Sequence, residues 1–395
     1  MAPAHRHVAL AALVVAGLAT GGLALRHRPS PSAVEGEPLP VRRAPAVMPA
    51  APRLAWRPVA GDLPVDVDDF TLAGDTVVAL DRRGARVLLL RPAGDRWAPV
   101  GGWGRAGGGP GEFERPVALA RTAAGEVAVL EESGRLQRFD PAGRLVGSER
   151  VPLPCVARTA TLAFGPGATR WLAASCGGTG RSRDTIFTAL FRAEGAGAYA
   201  EVRRLPRMAA DLSWGSVLGT RHPLADDGDV VWFGTFQDGC AWRLAGSAAG
   251  ATTAPARRCA LVRERLASPP PPDLDRQRRE AERRGQRQVA RLLRWPPTLP
   301  PFVALLRDGE RLLLARPLGP DSLAIVPAGA PFDAARARLV APLASFVTCA
   351  RGGCLWYDGD GRLALWRPDA APDVPPHGVP DGPPTRAVAL RRDAR

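Results

Sequence analysis

Few residues in this 395-residue chain have the types and spacing for chemistry. Of five histidines, only His222 and His377 lie beyond the N-terminal region, far apart in sequence. No HExxH zinc helix, GxSxG nucleophile elbow or phosphate-binding P-loop occurs. Two acidic clusters offer oxygen ligands for a hard cation: Asp62, Asp66, Asp68 and Asp69, then Asp226, Asp227 and Asp229. Neither has the glycine-spaced pattern of a calcium loop. A solvated acidic loop is the expectation for both, and a cation site the alternative. No metal and no cofactor is expected from this donor set.

The six cysteines form no CxxC pair, which makes a zinc site poor. They read better as three staples. Cys155 and Cys176 lie symmetrically about Gly165-Pro166, Cys240 and Cys259 about Ala249-Gly250, and Cys349 and Cys354 about a four-residue turn. Residues equidistant from a hairpin turn face each other across the ladder, close enough for a disulfide. The expected bridges are Cys155–Cys176, Cys240–Cys259 and Cys349–Cys354, with free core thiols as the alternative. Disulfides belong to an oxidising compartment.

All 53 basic residues are arginine, against 39 acids, a net charge of +14. The arginines are scattered among acids, and there are only two tyrosines. No nucleic-acid motif with interleaved aromatics appears, so nucleic acid is not an expected partner. The densest basic run is 273–294, between two proline stretches, with eight arginines and four acids. Asp273 could cap a helix there, and Leu274, Val289, Leu292 and Leu293 give it a thin apolar stripe. It reads as a solvated helix, with a lid, a docking element or a contact with anionic lipid as alternatives.

These residues need a scaffold, and the apolar pattern is that of an all-β chain. Short period-2 runs alternate with Gly, Pro and Asp. The first set is Phe70–Leu72, Thr76–Leu80, Val87–Leu90 and Trp97–Val100; the second is Val117–Ala120, Val127–Leu130, Leu136–Phe139 and Leu145–Ser148. Later sets span about Val156–Leu205, Leu218–Val262, Phe302–Val340 and Ser345–Trp366. An acid-turn-Gly-Arg pattern recurs at Asp81–Arg86, Glu131–Arg135 and Asp358–Arg362. Arg86 and Arg135 are 49 residues apart, close to the roughly 40–50 of one propeller blade. In each copy the acid and the arginine are expected to pair across a tight turn, with a ligand contact as the alternative. The tryptophans Trp103, Trp232, Trp242, Trp295 and Trp356 read mostly as blade packing.

Residues 101–143, from the Gly-rich run through Gly109-Pro110-Gly111-Glu112-Phe113 to Phe139-Asp140, resemble the NHL-type repeat of six-bladed β-propellers. The resemblance implies an all-β six-bladed propeller, and the basic run 273–294 places one short helical insertion between blades four and five. Leu54–Trp56 or Ala387–Leu390 would supply the closing outer strand. NHL propellers commonly act as interaction platforms, which implies a protein, peptide or glycan partner. The binding face would then use inter-blade loops, with Trp103, Arg105, Glu112, Phe113 and Arg115 as candidates beside the basic helix. The alternative is a propeller hydrolase or lyase with a carboxylate-bound metal in the channel. The histidine set of peptide-amidating lyases and the Asn-containing set of the lactonases are both missing, so neither activity carries over.

Residues 1–28 read as an export signal or an uncleaved N-terminal anchor helix, because Val8–Leu25 is apolar and follows Arg6. Residues 29–53, rich in Pro, Ala and Arg, read as a linker, and residues 54–395 as the propeller. An uncleaved anchor would make a membrane-anchored structural component a third alternative. The expected location is extracytoplasmic, periplasmic or secreted.

Overall fold

The computed structural model describes residues 40–43, 54–61 and, with interruptions, 67–369; the longest interruptions are 178–185, 206–223, 246–255, 268–273, 291–297 and 330–335. The proposed signal or anchor, His222, His377, Cys259, Asp62, Asp66, Trp295 and Ala387–Leu390 lie outside the described residues.

Two short strands come first, β1 (Val41–Arg42) and β2 (Arg57–Pro58). Blade one is β3 (Val67–Ala73), β4 (Thr76–Asp81), β5 (Arg86–Ala93) and β6 (Arg96–Trp103). Blade two is β7 (Pro116–Arg121), β8 (Val127–Glu131), β9 (Arg135–Phe139) and β10 (Leu145–Arg150). Blade three is β11 (Val156–Phe164), β12 (Thr169–Gly177), β13 (Ile186–Glu194) and β14 (Ala200–Leu205). Blade four is β15 (Leu224–Asp226), β16 (Val230–Gly234), β17 (Ala241–Ala245) and β18 (Ala256–Arg258). After β19 (Arg265–Leu266) and helix α1 (Leu274–Arg283), blade five is β20 (Ala304–Asp308), β21 (Arg311–Pro317), β22 (Ser322–Pro327) and β23 (Leu339–Pro342). Blade six is β24 (Phe346–Ala350), β25 (Gly353–Tyr357) and β26 (Arg362–Trp366), and its fourth strand is β2. The chain is a six-bladed β-propeller, as the repeats imply.

Inner strands touch their neighbours all the way round, from β3 through β7, β11, β15, β20 and β24 back to β3. The apolar residues divide into six clusters, one between each pair of successive blades. Strand alternation feeds two of them at once. Val77 and Ala79 of β4 pack toward blade six, while Val78 and Leu80 pack toward blade two. Both faces of β4 are therefore buried, which is why its sequence is a nearly unbroken apolar run. The inner strands of blades one, two, three and six each carry a register shift near their start, a bulge that bends the strand as it enters the ring.

The acid–arginine pairs stand as expected. Arg86 Nε donates to Asp81 at 2.8 Å, Arg135 Nε to Glu131 at 2.9 Å, and Arg362 pairs with Asp358. Gly134 in the second turn has φ 82°, and a Cβ there would lie 2.3 Å from the Val151 carbonyl oxygen. No other residue fits both constraints.

Ring closure uses the N-terminal option. Arg57 and Pro58 pair antiparallel with Leu363 and Arg362, just after the expected Leu54–Trp56. Leu54 and Trp56 pack against the core between blades five and six. Val59 donates to the Gly361 carbonyl and Ala60 to that of Trp97, each at 2.8 Å. The Trp97 indole reaches the Leu363 carbonyl at 3.1 Å, tying blade one to blade six.

Of the expected helix 273–294, residues 286–289 and 291–294 lie outside the described residues and Ala290 is helical; the continuous described helix is α1. It ends at Arg283, where Gly285 takes φ 70° and its N–H bonds the Glu282 carbonyl, a left-handed glycine stop. Ala281 is its buried residue among those described. Part of the expected linker is not a free tether: β1 pairs in parallel with β19, and the Arg265 N–H reaches the Pro40 carbonyl at 2.8 Å. This stem is held by Arg316, buried in β21, which donates to the Pro301 and Glu264 carbonyls at 3.2 and 3.0 Å. Burial pushes its pKa down to about 10, with the Glu264 charge opposing the shift, so it stays a cation at neutral pH.

Two expected disulfides are present, Cys155–Cys176 and Cys349–Cys354. Cys240 is also disulfide-bonded. Cys349 and Cys354 do face each other in the ladder. Cys155 does not face Cys176, which pairs with Ala157. The hairpin centres on residue 167, since Phe164 pairs with Arg170, and Cys155 reaches its partner from just before β11. In the chain-entropy account the bridge over 21 residues contributes about 3 kcal/mol and the bridge over 5 about 2 kcal/mol. Cys155→Ser is therefore expected to lower stability more than Cys349→Ser. Denaturant unfolding with and without reductant checks the order, and reductant should abolish both differences.

Candidate functional site

The two faces of the ring differ. One carries the connections between blades and the turns between second and third strands; here it is the connector face. The insertion that holds β19 and α1 is an expanded connection of this kind. The other face carries the turns that follow each inner strand.

The loop 104–115, where the sequence placed its candidates, is on the connector face. It folds around one side chain of the next blade. Arg135 donates to the carbonyls of Gly107, Gly108, Gly109 and Glu112 as well as to Glu131. Gln137, fully buried, donates to the Glu112 carbonyl at 2.7 Å and accepts from the Gly111 N–H at 2.8 Å. Phe113 is buried in the core between blades one and two, against Phe139. Trp103 packs on Phe139 with centroids 5.5 Å apart, its indole N–H buried without an acceptor among the described residues. Glu112 accepts from the Gly109 N–H and from Arg105, each at 2.8 Å. Arg115, at φ 85°, pairs with Glu132, which Arg82 also reaches. Of the five candidates, Arg105 and Arg115 are the exposed ones, at 82% and 79%. The loop thus brings its candidates together as a tied unit, with two guanidiniums turned to solvent.

Of the first acidic cluster, two members are described, and both are in β3 rather than in a solvated loop. Asp68 accepts from the Arg82 N–H at 3.1 Å. Asp69 is buried and accepts from the Phe70 N–H at 2.9 Å and, across the interface with the adjacent blade, from the Leu119 N–H of blade two at 2.7 Å. For these two the stretch is already strand, with a register shift between Val67 and Asp69. No group of three or more His, Cys, Asp or Glu that could hold a metal occurs among the described residues.

The concave site lies on the other face. A cavity of about 620 Å³ occupies the channel mouth, walled by the inner strands of five blades. Asp69, Thr71, Thr161 and Thr348 contribute polar groups to its wall, and the Thr161 hydroxyl is buried without a partner among the described residues. Arg121, Arg351 and Arg367 stand around its rim. Two of these clasp the blade-one tip from either side. Arg121 donates to the Leu72 carbonyl at 3.3 Å, and Arg367 to the Gly74 carbonyl at 2.7 Å and to Asp75 at 2.9 Å. Sequence reasoning missed every residue of this mouth except Asp69. Its polar groups come from four blades, Asp69 and Thr71 from blade one, Arg121 from blade two, Thr161 from blade three, and Thr348, Arg351 and Arg367 from blade six, and no local motif in the sequence joins them.

No family model matches the chain, and no curated protein does. Among solved structures it is similar to one described as an exported protein of Bacteroides fragilis, with a TM-score of 0.50, 9% identity, and coverage of 80% of this chain and 87% of that one. A streptogramin B lyase structure aligns at a TM-score of 0.41 and 11% identity over 80% and 88%. BamB from Moraxella catarrhalis aligns at 0.31 and 12% over 75% and 68%. At these identities the likeness to the first is one of fold.

Two outcomes follow for the connector face. Arg135→Ala leaves Glu131 buried without its cation and removes a donor from four carbonyls, and is expected to cost about 3 kcal/mol in denaturant unfolding. For Glu112, the Gly109 N–H and then the Arg105 guanidinium hold the carboxyl below its ordinary range. A depressed acid stabilises above its unfolded pKa and loses that contribution as pH falls through the folded one. Wild type should therefore be more stable than Glu112→Gln at neutral pH, and the gap should close on acidification below about pH 4.

Proposed function

We propose that this chain is an exported binding propeller that seats a peptide or glycan ligand in the channel-mouth cavity. One observation carries the proposal: the 620 Å³ cavity, whose wall offers hydroxyls and guanidiniums from several blades. Its volume falls within the roughly 300–1,000 Å³ usual for small-ligand sites. Those groups are hydrogen-bond donors, suited to hold a polar ligand. Asp69, the acid in the wall, accepts two backbone N–H bonds, a role that supports blade docking over proton transfer.

Export is supported by the apolar stretch Val8–Leu25 behind Arg6 and by disulfide bonding at Cys155, Cys176, Cys240, Cys349 and Cys354. In this proposal residues 1–28 are the signal or anchor, 29–53 the linker and 54–395 the propeller. The loop candidates Trp103, Arg105, Glu112, Phe113 and Arg115 form a rigid connector whose exposed arginines are a secondary surface.

Glycan and peptide arrays probed with wild type, Ala123→Trp and Arg105→Ala test the site. Ala123 is exposed in the turn at the cavity rim, so tryptophan there narrows the mouth without touching the core. Binding should be lost in Ala123→Trp and kept in Arg105→Ala. The reverse pattern would move the ligand to the connector face.

A further inference from the structure

The three rim arginines are not equivalent. Arg367 is committed, holding Asp75 at 2.9 Å and the Gly74 carbonyl at 2.7 Å. Arg121 makes only long contacts, to the Leu72 and Gly125 carbonyls at 3.3 and 3.5 Å, at or beyond the usual N–H···O range. A guanidinium has five N–H donors, and a carboxylate accepting them at about 2.7–2.9 Å forms bonds roughly twice as strong as neutral ones. A carboxylate entering the mouth therefore offers Arg121 a better acceptor than those it has. Arg351 is exposed and makes no hydrogen bond or ion pair among the described residues. It is nonetheless held in place. It sits at the tip of the β24–β25 turn, whose base is closed by Cys349–Cys354 with Cα atoms 4.0 Å apart.

The acids around the mouth are also accounted for. Asp69 is engaged by backbone N–H groups, and Asp75 by Arg367. Asp369, at the rim, is exposed and without a partner among the described residues. It faces an incoming anion as a like charge and disfavours a second acid group on the ligand.

We propose that the channel mouth recognises the single carboxylate of a small acidic ligand, with Arg351 and Arg121 as the recognition pair. This rests on the cavity being the ligand site. A sugar acid and a peptide C terminus share that carboxylate chemistry.

Calorimetric titration of the full chain tests it with two matched pairs of probes: galacturonate against galactose, and tri-alanine against tri-alanine amide. At least one acid should bind, with its neutral counterpart about tenfold weaker or worse. Arg351→Gln should weaken the acid about tenfold, Asp369→Asn should tighten it by about twofold, and Arg278→Gln on α1 should leave it unchanged. Galacturonate alone binding identifies a sugar acid; tri-alanine alone identifies a peptide terminus. Equal affinity for an acid and its neutral counterpart, or an unaffected Arg351→Gln, overturns the carboxylate assignment and leaves the cavity as a binding site. If wild type binds none of the four probes, both the assignment and the cavity site are overturned.

Discussion

The whole ring depends on the pairing of two N-terminal residues with the last blade. Arg57 and Pro58 meet Leu363 and Arg362, some 300 residues away in sequence. Each apolar cluster is shared by two blades, so no blade buries its own surface. An open ring would leave the seam between blades six and one exposed, with Val59, Trp97 and Leu363 among its members. Closure removes that edge and makes the six interfaces mutually dependent. It also requires a highly non-local contact, and loop-closure entropy opposes it until the rest is in place.

Arginine is the other recurring device, in a chain that has no lysine. Its planar fork donates to several carbonyls at once, which an ammonium does not do with the same geometry. Arg135 gathers the connector loop. Arg170, nearly fully buried in β12, joins Glu149 of blade two to the Gly197 carbonyl and lies over the Tyr199 ring. Arg192 and Arg203 cover Trp171 and Trp242. Much of the basic charge is thus consumed by architecture. That is why net charge is a poor guide to partners here.

How much of this was legible in sequence depended on whether the determining residues were neighbours. Asp81–Arg86 and Glu131–Arg135 are complete within a few residues, so the turns and their ion pairs were readable. Blade limits followed from spacing even in blades three to five, which lack the motif. Cys155–Cys176 emerged from a symmetry that the ladder does not have. Asp69 was misassigned because its partner, the Leu119 amide, is 50 residues away. The channel mouth was invisible for the same reason, since its groups converge only when the ring closes.

The parallel pairing of β1 with β19 has a mechanical consequence. A pull on the chain before Pro40 meets this short sheet before it meets the closing strand. Load therefore passes first into the stem that Arg316 anchors, and β2 is spared until that sheet has sheared. The contact works as a strain relief, like the clamp on a cable ahead of its plug. The strand on which the ring depends is insulated from tension applied ahead of Pro40.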